Sequence, residues 1–512
     1  MIKNAIVCMF DSLQFNYLGC YGNDWIKTPN FDRFSREGVQ FDNFYIEGVP
    51  TIPARRAMHT GRYTLPVAGW VPLSMKDTTI ADLCWGRPID TALIFDCPMY
   101  RLPKFGYSRG FDKVYFQHGH EADEDYYGGD PLIHFDLEDY HEKSTYEIME
   151  QKGFGRLVPV VEHETASYLK ETQYWRGEKD QRCHRLMTHA IDYLEKIDRN
   201  KQFFLWVDCF DPHEPWDPPS ALDKDLKCPY DPDYDGKNVI LPAMVPVEGI
   251  YSERELHHIR MLYAEKVTCC DAALGRFMDA VRRLGLEENT LMIVVSDHGE
   301  PMGNGEHGHG IMRKCRPWPY EELVHAPMWM RAPGVTAGQH VKSFTQSVDI
   351  APTVCDWLGI GVHPSMQGKS LLPILFGEKE KVRDFAIAGY CKYSWSIITE
   401  KFSYIHWIKK GDNNSDEITA EMYGVDTSNP DAKLGETAVS EALARHKANA
   451  TTDGEDQWTC TPGSTAELHD NDELYDRAAD PFQLNNIITD HPEEAKVLLR
   501  KLTLFMDDLK SD

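Results

Sequence analysis

Asn4-Ala5-Ile6-Val7-Cys8-Met9-Phe10-Asp11 decides how the rest of the chain is read. From Ala5 to Phe10 every side chain is apolar, a length that suits a strand buried on both faces and falls short of a membrane span. The same texture returns at residues 91–95, 203–209 and 291–295, and 328–331 is a further strand candidate. Apolar residues at helical spacing fill the intervals at 28–36, 78–83, 182–197 and 253–284. Buried strands alternating with helices predict an α/β fold with a large, mostly parallel central sheet sandwiched by helices. In such sheets ligands gather beyond the carboxyl ends of the strands. Asp11, His213 and Asp297 each follow a strand run, so one cleft can hold all three.

The chain has 512 residues, too many for a single hydrophobic core. The texture changes near residue 380: 412–470 is polar and acidic, and Glu473-Leu474-Tyr475-Asp476 precedes a closing helix at 493–509. The expected division is a main domain over 1–380 and a smaller C-terminal α+β subdomain over 381–512. A net charge of −27 argues against a nucleic-acid or anionic-membrane surface, since both would repel it. A local pocket of metal, arginine and lysine can still take a small anionic substrate. Thirteen cysteines without a Cys-x-x-Cys pair fit reduced thiols, and no cleavage-site pattern follows the first apolar run. The expected location is the cytoplasm. Oligomeric state is unreadable, and a homo-oligomer is compatible with the Trp- and Tyr-bearing loops such as Tyr174-Trp175.

Thr51-Ile52-Pro53-Ala54-Arg55 carries the chemistry. Thr51 reads as a helix N-cap with Pro53 in the first turn, and a helix N-terminus is also an anion site. Arg55 adds a fork of donors for an anionic group, unless it or Arg56 is a surface charge. Asp11 alone reads equally well as a helix cap, and His298 alone as a loop histidine. Asp297-His298-Gly299 at a strand end, paired with Asp11 from nearly 300 residues earlier, lifts both: Asp11, Thr51, Asp297 and His298 form a hard-to-borderline metal site with an activated hydroxyl.

His213, in the proline-flanked run Asp211-Pro212-His213-Glu214-Pro215, suits a general acid for a leaving oxygen or, more plainly, a histidine that stabilises a turn. Glu306-His307-Gly308-His309-Gly310 sets two imidazoles in a glycine-rich loop; one is read as binding substrate or a second metal, the other as structural. Lys314 is a candidate anion contact, with a solvated lysine as the plain alternative. The loop 117–139, rich in His, Asp, Glu and Tyr, reads as a pocket rim or a solvated loop.

Taken in order, these segments resemble the sulfatase family of the alkaline phosphatase superfamily. Asn4–Asp11, Leu18-Gly19-Cys20-Tyr21-Gly22, Lys27-Thr28-Pro29-Asn30-Phe31-Asp32, Pro53-Ala54-Arg55 with Thr60-Gly61-Arg62, Asp297-His298-Gly299-Glu300 and Val348-Asp349-Ile350-Ala351-Pro352-Thr353 match its signatures. Glu473-Leu474-Tyr475-Asp476 with Asp480-Pro481 resembles its C-terminal one. The resemblance implies an alkaline phosphatase-like sheet and a metal-dependent hydrolase of charged esters.

Three departures bear on the reaction. Sulfatases carry at position 51 a cysteine or serine that is oxidised to formylglycine; here stands Thr51, like the alkoxide nucleophile of phosphate-transferring relatives. The family's Gly-Lys-x-His group after the 91–95 strand is replaced by Phe95-Asp96-Cys97-Pro98, with Tyr100, Arg101 or Lys104 as compensating contacts. Ser12 stands where a second metal-binding aspartate is common. The resemblance thus leans to the phosphonate monoester hydrolase and phosphodiesterase branch, with one divalent metal, Mn²⁺ or Zn²⁺ favoured and Ca²⁺ admissible. The leading expectation is phosphodiester or phosphonate monoester cleavage, with Thr51 as nucleophile, Arg55 and Lys314 balancing charge, His213 protonating the departing alcohol, and His309 and Tyr100 contacting substrate. A sulfatase without formylglycine and a non-catalytic binding protein on this fold are the alternatives.

Overall fold

The computed structural model describes all residues except 1, 102–104, 121–136, 156–157, 173–174, 176, 304–307, 315–317, 392, 409–471 and 512. The polar stretch 412–470, the residues Lys104, Tyr174 and His307, and most of the 117–139 loop therefore lie outside the described residues.

The sequence of strands in the main sheet is β1 (Asn4–Phe10), β2 (Val39–Phe41), β3 (Ile89–Phe95), β4 (Lys113–Phe116), β5 (Gln202–Cys209), β6 (Thr290–Ser296), β7 (Met328–Arg331) and β8 (Gln339–Val341). Side by side they run β8-β2-β7-β6-β1-β5-β3-β4. The five strands from β6 to β4 are parallel, with Ala5 opposite both Phe204 and Leu291. Strand β7 turns antiparallel to β6 and β2. The sheet is thus mixed at one side and parallel at its centre, where β1 and β6 are buried along their whole length.

Two apolar layers cover the faces. One contains Ile52, Ala54 and Met58 of α2 (Thr51–Thr60) against Val7, Met9 and Trp206. The other contains Leu186, Met187 and Leu194 of a helix at Arg182–Lys196 and Leu262, Val267 and Leu274 of another at Glu253–Arg283, against Ile6, Cys8 and Val294. These last two helices are called α3 and α4, and α1 is Pro29–Glu37. Ser252 starts α4 with a reciprocal cap: its hydroxyl accepts from Glu255 N, and the Glu255 carboxylate accepts from Ser252 N. Downstream, Phe385–Tyr390, Ser394–Thr399, Phe402–Trp407 and Glu473–Asp476 form a separate antiparallel sheet. A closing helix, α5 (Pro492–Ser511), packs Leu498 and Leu502 on its Ile397 and Tyr404. Among the described residues no helix is long and apolar enough to cross a membrane, and the eleven cysteines they include are free thiols.

Candidate active site

At the carboxyl end of the sheet β1 stops at Phe10 and β6 at Ser296, so Asp11 and Asp297 leave adjacent strands side by side. Asp11, Asp297 and His298 are fully buried and bring one ligand atom each within 4.8 Å of the others. Thr51, the first residue of α2, sets its Oγ1 3.4 Å from His298 Nε2. The four residues expected to meet do meet.

Small local devices hold this arrangement. Ser12, at φ 61°, donates its backbone N–H to Asp297 Oδ1 (3.1 Å) and its hydroxyl to Asp11 Oδ1 (2.7 Å), so it orients both carboxylates. Gly299 approaches the next segment so closely that a Cβ would stand 2.1 Å from the Glu322 carbonyl oxygen. His298 Nδ1 donates to the Gly299 carbonyl at 2.7 Å, which leaves Nε2 as a lone pair facing Asp11, Asp297 and Thr51. Burial pushes His298 down to about 3, so that lone pair stays free at neutral pH.

Arg55 is fully buried and faces inward, as its motif suggests, but its partners are protein carboxylates. Nη2 and Nε reach the two oxygens of Asp208 at 2.7 and 3.1 Å. Nη1 stands 2.9 Å from Asp11 Oδ2 and also contacts Asp297. Its neighbour Arg56 pairs with Asp77 at 3.0 Å. Lys314 is likewise enclosed, at 3.0 Å from Glu214 and 3.6 Å from Glu300. These two cations therefore balance charge within the site before any anion enters.

His213 is buried, stacks on Phe210 at 4.0 Å and donates Nδ1–H to the Glu214 carbonyl at 2.6 Å. Burial lowers it to about 4, despite the nearby Glu214 carboxylate, so it rests as a neutral imidazole. Tyr100 shares a hydrogen bond between its hydroxyl and His59 Nε2 (3.0 Å), stacks on Tyr107 and lies under the Arg55 guanidinium at 5.5 Å. It backs Arg55 from below. For His309, Nδ1 meets Glu322 at 2.9 Å, Nε2 meets the Gln483 carbonyl at 3.1 Å, and the ring stacks on Tyr320. With both nitrogens engaged it ties loop to loop, the role expected of one histidine of that pair.

Charge decides whether a cation belongs here. Burial and Asp11 push Asp297 well above the ordinary carboxylate range, whereas burial of Asp11 is outweighed by Arg55 and it sits below that range. Burial raises Glu300 to about 8, and neither of its carboxylate oxygens has a hydrogen-bond partner. Among the described residues, five buried acids (Asp11, Asp208, Asp297, Glu214, Glu300) thus stand with three buried bases (Arg55, Arg313, Lys314). Asp11 Oδ2 also lacks a hydrogen bond. A site short of positive charge, with two carboxylates, an imidazole lone pair and a hydroxyl, fits one divalent ion. Asp208 escaped the reading of the sequence, although an aspartate inside the apolar run 203–209 was a visible signal. Ser12 was read only as the replacement of an aspartate and Glu214 only as a neighbour of His213, and their contacts to Asp11, Asp297 and Lys314 were not foreseen.

The general sulfatase model matches residues 3–360, and the model for the N-sulphoglucosamine sulphohydrolase C-terminal region matches 305–422. The chain belongs to the sulfatase family. An arylsulfatase of Clostridium perfringens is 26% identical over 451 residues, 80% of this chain and 87% of that one. A multifunctional alkaline phosphatase superfamily protein of Trinickia caryophylli, PehA, is 27% identical over 73% of this chain and 77% of its own. The phosphonate monoester hydrolase of Agrobacterium radiobacter shares the fold, with a TM-score of 0.64 at 19% identity over 99% of this chain and 95% of that one. A protein solved with its substrate D-glucosamine-2-N,6-O-disulfate superposes with a TM-score of 0.63 at 20% identity, over 100% and 99%. Family membership makes the chain an ester hydrolase, and members on both the sulfate and the phosphonate side resemble it.

Proposed function

We propose that this sulfatase-family protein cleaves a phosphate diester or a phosphonate monoester, with the unmodified Thr51 hydroxyl as nucleophile. The observation that carries the reading is the placement of a threonine, which has no route to formylglycine, at the first position of α2 with Oγ1 3.4 Å from His298 Nε2. Asp11, Asp297 and His298 would hold the divalent ion, Mn²⁺ or Zn²⁺ by its donor set, and its chemistry is to acidify the adjacent hydroxyl and polarise a non-bridging substrate oxygen. Arg55 keeps Asp11, Asp297 and Asp208 in register. Thr51 Oγ bonds to phosphorus as the bond to the leaving alcohol breaks. The proton of the Thr51 hydroxyl leaves to solvent as that hydroxyl is acidified. His213, neutral at rest, takes up a proton from solvent on Nε2 when an anionic ester enters beside it and passes it to the departing oxygen. Water then cleaves the phosphoryl–Thr51 ester.

Sulfate ester hydrolysis is the second reading, favoured by the kinship with the Clostridium perfringens arylsulfatase. Parallel assays on an aryl sulfate, an aryl phosphate monoester, an aryl phosphodiester and a phenylphosphonate monoester separate the two. The proposal expects the diester or phosphonate to give the highest kcat/KM; a clear preference for sulfate overturns it. Inertness towards all four, in protein that also binds no metal, supports a non-catalytic role.

A further inference from the structure

We propose that Cys183, Cys270 and Asp211 form a second metal site, separate from the Asp11 cluster, which takes a zinc ion. Cys183 lies in the first turn of α3, Cys270 in α4, and Asp211 in the loop that follows β5. All three are buried, and their two sulfurs and a carboxylate oxygen lie within 4.8 Å of one another. Two thiolates and a carboxylate are a zinc-type donor set.

A buried cysteine often packs as a small hydrophobe. Two features go beyond packing here. First, His120 stands beside the cluster with its Nε2 3.4 Å from Asp211 Oδ1; it is 1% exposed, and neither ring nitrogen has a hydrogen-bond partner. Its Nε2 also lies 3.3 Å from Asp96 Oδ2, and it stands outside the three donors that lie within 4.8 Å of one another, so a side-chain movement would bring its imidazole to a fourth position. Second, the charges close. Zinc with two thiolates and Asp211 carries one net negative charge, and the fully buried Lys266 ammonium lies 3.1 Å from Asp211 Oδ1 to offset it. Asp217, also on Lys266, has Arg182 as a further partner at 3.3 Å. Burial keeps both thiols protonated at neutral pH, so zinc would displace two protons on binding.

Such an ion would fasten the start of the 211–215 loop to α3 and α4, two residues before His213. That gives the site a structural role, holding the loop that carries a residue of the active site.

Cobalt tests the assignment without any substitution. Full-length protein loaded with Co²⁺ is expected to bind two ions per chain and to show a thiolate-to-cobalt charge-transfer band in the near ultraviolet. Cys270→Ala is expected to lose that band and one ion per chain, while Asp297→Asn loses the other ion and keeps the band. Wild-type protein that binds Co²⁺ without the band overturns the proposal, and so does a Cys183–Cys270 disulfide found by thiol counting after denaturation. Should Cys270→Ala fail to fold, the wild-type spectrum decides alone.

Discussion

Arg55 and Asp208 face each other as a two-pronged pair, with Nη2 to Oδ1 at 2.7 Å and Nε to Oδ2 at 3.1 Å, both side chains without solvent exposure. The aspartate comes from β5 and the arginine from α2, so the pair locks the helix that Thr51 opens onto the central sheet. Removing one carboxylate from a buried guanidinium costs the charged hydrogen bonds it made. Because Asp11 and Asp297 remain on Arg55, Asp208→Asn is expected to lower unfolding stability by about 1.5–3 kcal/mol, read by denaturant titration. It should also loosen Arg55 and weaken turnover.

Metal uptake should depend on pH because binding must displace the proton that burial and Asp11 keep on Asp297. With one proton exchanged per ion, affinity is expected to fall about tenfold for each unit of acidification below that raised pKa. Calorimetric titration with Mn²⁺ at several pH values checks the slope. Asp297→Asn should flatten it and weaken binding throughout.

His309 joins Glu322 to the Gln483 carbonyl. Its replacement by alanine leaves those acceptors without their donor, a loss of about 1–3 kcal/mol. The expectation is lower stability with kcat/KM close to wild type. A large drop in activity at undiminished stability would return His309 to the substrate.

Glu47 is buried and accepts hydrogen bonds from Thr64 N, Thr64 Oγ1 and Leu65 N, yet burial still raises it from 4.5 to about 7. Because the folded state holds this proton more tightly, the stabilisation is complete below 4.5 and is lost as pH climbs through about 7. Stability should therefore decline across that window by an amount on the order of 3 kcal/mol from this group. Glu47→Gln should remove that part of the slope in denaturation curves recorded at successive pH values.

The central strands were legible because burial on both faces leaves an uninterrupted apolar run, as in Ala5 to Phe10. Short strands at or near the sheet's margins were not: Val39–Phe41 and Gln339–Val341 have three residues each, and Lys113–Phe116 is largely exposed, so pairing rather than pattern makes them strands. The four converging residues could be read since Asp11 and Asp297 each follow a strand end, His298 adjoins Asp297, and Thr51 opens a helix. What the pattern could not give was partnership. Arg55 and Lys314 looked like anion contacts, but Asp208, Glu214 and Glu300 converge on them from distant segments. Tyr100 looked like a pocket residue and became the support behind Arg55, since its hydroxyl is taken by His59.

A Thr51 nucleophile must become covalently phosphorylated during turnover. Protein quenched in acid while hydrolysing an aryl phosphodiester should yield, by peptide mass spectrometry, a phosphoryl adduct on Thr51 that Thr51→Ala lacks along with its activity. Turnover without any adduct, together with a Thr51→Ala variant that retains substantial activity and its metal, would contradict it.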